Sequence, residues 1–318
     1  MFLGIEIGAT KLQLGVGRGD GTPMAAMERL VARREEGATG IRRQIAEAGR
    51  RLIDAFDVRA VGIGFGGPVD SAAGRTITSH QVEGWEDFPL VDWCRQTFHV
   101  PTVLGNDSDS AGLAEALFGA GRGGNPVFYL NVGSGIGGAL VVGGQLYSGS
   151  RGIASELGHL RPGPEADRPD RTVESVASGF GIAAAARARV AQAGGDLFAA
   201  DLLRRCGGQI EQLTGRMVVE AAADGNTLAA EVYGRARRTL GWAIAQAITL
   251  LSPEIVVIGG GVPLVGESQF FEPVRREVDR YVFPPLAGTF RIVGAALGEE
   301  VVVHGALAVA AKAAVSGE

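Results

Sequence analysis

Two glycine-broken hairpins, one near the start of the chain and one near its middle, limit what this sequence can fold into more than any other feature. The later one lies in VFYLNVGSGIGGALVVGGQLYSGSRGIASELGH, from Val127 to His159. An apolar run of strand type ends at Val132, breaks over Gly133-Ser134-Gly135-Ile136-Gly137-Gly138, and resumes as a second apolar run that stops at Gly143-Gly144. Four glycines in those six residues let backbone amides come close to a ligand, and successive amides aimed at one point suit a phosphate oxygen. Gly133, Ser134 and Gly135 are therefore candidate phosphate contacts, although an ordinary glycine turn gives the same pattern.

The earlier copy is LGIEIGATKLQLGVG, from Leu3 to Gly17. It repeats the plan of strand, one polar residue (Glu6, as Asn131 later), an apolar residue, a glycine (Gly8, as Gly133 later), a polar turn and a returning strand. Glu6, Gly8, Ala9, Thr10 and Lys11 form the second candidate set for a nucleotide. One such hairpin in each half predicts two related lobes facing each other across that nucleotide, and a cleft between lobes is a usual place for a small molecule.

Composition narrows the partners. In 318 residues, 30 basic against 35 acidic side chains give a net charge of −5, which offers no polyanion-binding surface and disfavours nucleic acid. The opening MFLGIEIGATKL has no basic n-region and does not read as a signal peptide. The longest apolar region, Trp242 to Val262, is cut by Gln246, Ser252, Pro253 and Glu254 into a helix and a strand, so no membrane span is expected. These features predict a soluble, cytoplasmic protein. Cys94 and Cys206 have no paired spacing, which indicates neither a disulfide framework nor a cysteine zinc site.

Between and beyond the hairpins the chain alternates helix and strand patterns. Gly40 to Phe56 is an amphipathic helix whose Arg42, Arg43, Arg50 and Arg51 form a solvated face, and Val61 to Phe65 is a strand that runs into the stiff turn Gly66-Gly67-Pro68. Trp85, with Phe88 and Leu90, seats the polar segment from Ser79 on the core; His80 and Gln81 are ligand-facing candidates, or merely exposed loop residues. A strand from Val100 to Leu104 leads to Gly105-Asn106-Asp107 and a helix to Phe118. Ligands of α/β sheets lie beyond the carboxyl ends of strands, so Asp107 stands where a catalytic carboxylate is useful. Asn106, Asp107 or Ser108 also suits a helix cap, and one can cap while its neighbour reaches the cleft.

Glu156 and His159 can aim at the same polyol, whose hydroxyls both donate and accept, or form a plain surface pair. Leu160 to Val173 is a proline-stiffened charged loop, Glu174 opens an Ala-rich helix, and Thr227 to Leu251 is a largely buried helix. It feeds a strand, Glu254 to Ile258, and then Gly259-Gly260-Gly261, where a flat adenine and its ribose could lie on bare backbone; a plain strand-to-helix turn is the alternative. A last strand at Phe290 to Val293 precedes a helix from Val301 to Val315.

GIEIGATK, GGPVD, GNDSDSAGLAE, GSGIGGALVVGGQLYSGSRG, ELGH and IGGG, in this order, resemble the motifs of ROK-family sugar kinases of the bacterial glucokinase type over nearly the whole chain. The resemblance implies an α/β protein with the actin-like ATPase (ribonuclease H-like) fold, two lobes around a nucleotide and sugar cleft. Residues 1–118 plus 299–318 would be the smaller lobe and 119–298 the larger. It further implies ATP with Mg²⁺ as phosphate donor, a hexose or aminohexose phosphorylated mostly at the 6-hydroxyl, Asp107 as general base, and a homodimer. Asn106, Glu156, His159 and Glu174 match the family's sugar-binding set, Gly67 a backbone contact to the sugar, and Gln81 a position usually held by asparagine. Glu6 and Gly8-Ala9 stand where the family has Asp and a double glycine, and Ser134 and Ala139 replace threonine and glycine. Those changes keep open a second reading, a catalytically weak or inactive sugar-binding regulator without a DNA-binding domain. Many members hold the ELGH histidine through zinc on a cysteine cluster; no cysteine lies between Cys94 and Cys206, so no structural zinc is expected and Mg²⁺ arrives with ATP.

Overall fold

The computed structural model describes all residues except 80, 164–166, 194 and 317–318, so the reading of His80 falls outside the described residues. The chain divides into two compact units. One comprises Met1–Asn125, Ala139–Ala154 and Ala295–Glu318, the other Pro126–Gly138 and Ser155–Gly294.

The first unit begins with the hairpin β1 (Phe2–Ile7) and β2 (Lys11–Gly17), followed by β3 (Ala26–Val31) and α1 (Gly37–Ala55). Then come β4 (Val61–Phe65), the short pair β5 (Val69–Asp70) and β6 (Arg75–Thr76), α2 (Leu90–Phe98), β7 (Thr102–Asn106) and α3 (Asp107–Phe118). Its sheet has the order β3-β2-β1-β4-β7, with β1, β4 and β7 parallel, and with β2 antiparallel to both of its neighbours, β1 and β3. β1 and β4 are buried along their whole lengths, which explains why they are continuous apolar runs rather than alternating ones. β7 starts two residues later than the sequence pattern suggests, because Pro101 has no N–H to give to the ladder.

The middle of the chain supplies β8 (Val127–Val132), β9 (Ile136–Val142) and β10 (Gln145–Leu146). The second unit continues with helices α4 (Val173–Ala177), α5 (Gly179–Gln192), α6 (Leu197–Arg205), α7 (Gly215–Ala223) and α8 (Thr227–Leu251). β11 (Ile255–Gly259), α9 (Glu272–Tyr281) and β12 (Arg291–Gly294) complete it, and α10 (Val301–Ser316) returns to the first unit. The second sheet has the order β10-β9-β8-β11-β12, with β8, β11 and β12 parallel. α8 buries Val232, Ala236, Leu240, Ala243 and Ala247, the stripe visible in its periodicity, and packs against α4, α5, α7 and α9. Among the described residues no helix is long and apolar enough to cross a membrane.

α10 holds the first unit together through bare backbone. A Cβ on Gly4 of β1 would lie 2.7 Å from the Val303 carbonyl oxygen, and one on Gly62 of β4 would collide with that of Ala306. On the other side of the helix, a Cβ on Gly305 would collide with the Ser110 carbonyl of α3. The helix is thus pressed between the sheet and α3, the helix that carries Asp107. Glu115 of α3 is fully buried and serves as an internal clamp. Its Oε1 accepts from the amides of Ala296 and Leu297, both at 2.8 Å, and its Oε2 from Ala120 at 2.8 Å. That fixes the chain as it enters the turn at Gly298–Glu300.

Trp85 is buried, edge-on to Phe65 at 5.2 Å and to Phe88 at 5.7 Å, and seats its loop as the sequence suggests. Arg42 differs from the solvated face expected of it: its guanidinium lies 4.2 Å from the Phe88 ring centre and 5.6 Å from that of Trp85. The planar cation covers aromatic surface that the helix face would otherwise leave wet.

Candidate active site

In the first unit the hairpin turn is closed by the Gly8 amide donating to the Lys11 carbonyl at 2.9 Å, and a Cβ on Gly8 would sit 2.9 Å from that oxygen. The turn points the Lys11 ammonium at Glu6 Oε1, 3.0 Å away, and at the Glu299 carbonyl, 3.1 Å away. Gln13, with its amide nitrogen on the side facing two acceptors, donates to Glu6 Oε2 at 3.0 Å and to the same Glu299 carbonyl at 3.1 Å. Ala9 packs against the core and Thr10 is exposed at the tip. Gln13 and Glu299 escape sequence reasoning: the first is one polar residue in a strand, the second an acidic residue near the far end of the chain.

Glu6 is 8% exposed. Burial pushes its carboxyl up to about 7, against the pull of Lys11, and the nearby charges of Asp107 and Glu299 act in the same direction as burial. The folded protein holds this proton more tightly than the unfolded chain, where the group titrates near 4.5. Its stabilising contribution is therefore full below that pH and is lost as pH rises through about 7. We expect Glu6→Gln to remove this slope, narrowing the gap between variant and wild type by roughly 3 kcal/mol from acid to alkaline pH. Urea unfolding of both proteins from pH 4.5 to 8.5 measures it, and parallel curves would contradict it.

β7 ends at Asn106 and α3 begins at Asp107. Asn106 is the cap: its Oδ1 accepts from the amides of Ser108 at 2.8 Å and Asp109 at 3.3 Å. Its Nδ2 donates to the Gly67 carbonyl at 3.0 Å, tying the cap to the Gly66-Gly67 turn. Asp107, freed from capping, has Oδ1 2.7 Å from the Ser108 amide. Its Oδ2 lies on the side of Gly66, where a Cβ would be 3.5 Å away. The Gly66 amide in turn donates to the Ile7 carbonyl at 2.8 Å, so β1, the turn and the start of α3 form one frame. Desolvation raises the Asp107 carboxyl above its ordinary value of 3.8, although the Ser108 hydrogen bonds pull the other way. This differs from the unperturbed acid that the residue type alone suggests, and it makes the carboxylate a stronger base. Gln81 is exposed, on the loop anchored by Trp85.

In the second unit the hairpin tip is also built on backbone. The Gly133 amide donates to the Gly135 carbonyl at 3.0 Å, and the Gly133 carbonyl accepts from Gly179, the first residue of α5, at 2.8 Å. The Ile136 amide donates to Glu174 Oε2 at 2.7 Å. Gly133 therefore closes the turn, which leaves Ser134 and Gly135 as the candidate phosphate contacts at this tip. A Cβ on Gly158 would collide with the Ile136 carbonyl, so the ELGH segment and Glu174 both meet the same residue of β9. Glu156 and His159, both exposed, approach to 4.0 Å. Ile136 joins three motifs that are far apart in sequence, and its apolar side chain gives no sign of that role.

At the end of β11, Gly260 has φ of +97°, and a Cβ there would lie 2.6 Å from Asn131 Oδ1, so packing against β8 alone requires a glycine. Gly261 faces open space, and Gly259 pairs with Asn131 in the ladder. Cys94 and Cys206 are buried, and among the described residues no group of three or more His, Cys, Asp or Glu side chains is placed to hold a metal ion.

The family model described as "ROK family" matches residues 2–313. The chain belongs to the ROK family. A glucokinase of Thermotoga maritima is 33% identical over 314 residues, covering 97% of this chain and 96% of that protein. A ROK family glucokinase from Streptomyces griseus, solved with glucose and AMPPNP, superposes with a TM-score of 0.79 at 29% identity, over 98% of this chain and 99% of that one. A ROK hexokinase from Thermus thermophilus gives 0.80 at 27% identity, over 100% and 99%. The ROK chain described here accordingly has the actin-like ATPase fold.

Proposed function

We propose that this ROK protein is an ATP-dependent sugar kinase that transfers the γ-phosphoryl group to a hexose, with Asp107 as general base. The observation that carries the reading is the placement of Asp107. It is relieved of capping by Asn106, held through one oxygen by Ser108, and set beside the glycine turn and the nucleotide hairpin of the same unit. Similarity to glucokinases over 97% of the chain supports the reaction class.

Phosphoryl transfer depends on positioning and on managing charge. As the new O–P bond forms at the sugar oxygen and the bond to the ADP leaving group breaks, the hydroxyl proton passes to Asp107 Oδ2. The 6-hydroxyl, being primary and outside the ring, is the position we assign. Glu156, His159 and Glu174 bind the ring hydroxyls, with Gly67 and Asn106 shaping the turn and Gln81 at the margin. The hairpins at Gly8–Lys11 and Gly133–Gly135 hold the phosphates, and Gly261 gives the adenine a surface without side chains. Lys11 places a cation at the phosphate turn. The Glu6 carboxylate beside the turn is a hard oxygen donor of the kind that would suit a magnesium ion which arrives with ATP and keeps most of its waters. Such an ion, when bound, neutralises charge on the phosphate oxygens.

ADP release measured over a panel of hexoses and N-acetylated aminohexoses tests the reading. Turnover that depends on sugar, greatest with one hexose, is the expected result. Sugar binding without sugar-dependent ADP release would instead favour a regulator, with Glu6 and Ala9 as the changes responsible.

A further inference from the structure

Among the described residues, four that are not glycine have a left-handed backbone: Asp87, His99, Ser155 and Ser252. His99 and Ser252 end α2 and α8, where such a residue is common, and Asp87 is held by Arg75 at 2.6 Å. Ser155, with φ of +67°, ends no helix. It stands directly before Glu156, and a residue with a side chain adopts this conformation at a cost that the surrounding structure has to offset.

The contacts that hold it lie within the second unit. The Ser155 carbonyl accepts from the Leu157 amide at 2.7 Å, and Glu156 between them has φ of −72° and ψ of 61°. Those angles describe an inverse γ-turn with Glu156 at its apex. The same carbonyl rests on the bare backbone of Gly138 in β9, where a Cβ would collide with it. Further on, Gly158 rests in the same way on the Ile136 carbonyl. The Glu156 segment is thus seated at both ends on the first three residues of one strand. With the ends fixed, the backbone angles at residue 155 decide in which direction the Glu156 side chain leaves the turn.

We propose that Ser155 and Gly138 are positioning residues of the sugar half-site: the left-handed Ser155, seated on Gly138, sets the direction of the Glu156 carboxylate. This rests on the reading of Glu156 as a sugar ligand and deepens it. Neither residue has to touch the sugar. A carboxylate already held in its binding direction meets a pair of hydroxyls without first losing conformational freedom, so the rigidity of this turn is read as sugar affinity.

Calorimetric titration of the full chain tests it. Glucose, mannose, fructose and N-acetylglucosamine are titrated into wild type, and the sugar bound most tightly, with AMPPNP in parallel, into Ser155→Asn, Ser155→Val and Gly138→Ala. Cooperative thermal unfolding checks that each variant is folded. Asparagine enters the left-handed region readily and should bind the sugar within about threefold of wild type, whereas valine, branched at Cβ, should lose at least about tenfold. Gly138→Ala, which displaces the Ser155 carbonyl and leaves its side chain alone, should also lose about tenfold, and it carries the same test should the valine variant not fold. AMPPNP affinity should stay within about twofold of wild type in the Ser155 variants. Sugar binding unchanged by valine and by Gly138→Ala would overturn the proposal. So would an asparagine variant as weak as the valine one, or a parallel loss of AMPPNP affinity, which marks a merely structural role. A wild type that binds none of the sugars fails the sugar-kinase reading itself, and this inference with it.

Discussion

Asp107→Asn is expected to lower kcat by between about 10² and 10⁴-fold while leaving hexose affinity nearly unchanged. The substitution is close to isosteric. The new side chain can still accept from the Ser108 amide, which lies 2.7 Å from Oδ1, so the start of α3 keeps its shape. What it loses is the ability to take a proton from the sugar hydroxyl. Steady-state rates and direct sugar binding, measured on the same preparation, separate the two effects. A kcat within a few-fold of wild type would remove Asp107 from the role of base. Because desolvation raises this carboxyl, the acid limb of the wild-type rate profile should also lie above the ordinary Asp value of 3.8. The direction follows from the chemistry: the base works only when deprotonated, so activity is lost as pH falls through its raised value.

The largest structural effect is expected at Gly305. Alanine is the better helix former by about 1 kcal/mol, so propensity alone predicts a gain. Packing predicts the reverse, since the added methyl would collide with the backbone carbonyl of Ser110, which cannot rotate away. Separating α10 from α3 should cost on the order of 3 kcal/mol, and lower Tm by roughly 5–10 °C. Ser110 lies one turn from Asp107, and its hydroxyl donates to the Asn106 carbonyl at 2.8 Å. The displacement should therefore reach the reacting end of α3 and depress kcat as well. Thermal unfolding and kcat of Gly305→Ala measure both, and a variant as stable as wild type would show that the contact has room to relax.

Much of this organisation is legible in the chain, for physical reasons. Strands buried on both faces must be continuous apolar runs, and Asn106 beside Asp107 has one residue suited to capping and another left over. Gly8 and Gly260 stand out as glycines, although sequence cannot say whether a ligand or a neighbouring strand forbids the side chain; at Gly260 it is β8. What stays hidden depends on contacts between residues far apart in sequence. Gln13 and Glu115 look like ordinary polar positions until burial joins them to Glu299, Ala296 and Leu297. Gly305 looks like a flaw in a helix until α3 lies against it. β3, α6, α7 and α9 escape notice because they are short, six to ten residues each, and half exposed.

The central claim is that this ROK protein passes the γ-phosphoryl group of ATP to a sugar hydroxyl. Incubation with [γ-³²P]ATP, Mg²⁺ and glucose, followed by separation of sugar phosphate from orthophosphate, tests it most directly. The account predicts label in a hexose 6-phosphate, strongly diminished in Asp107→Asn. Label appearing only as orthophosphate, at a rate indifferent to every sugar supplied, would contradict it.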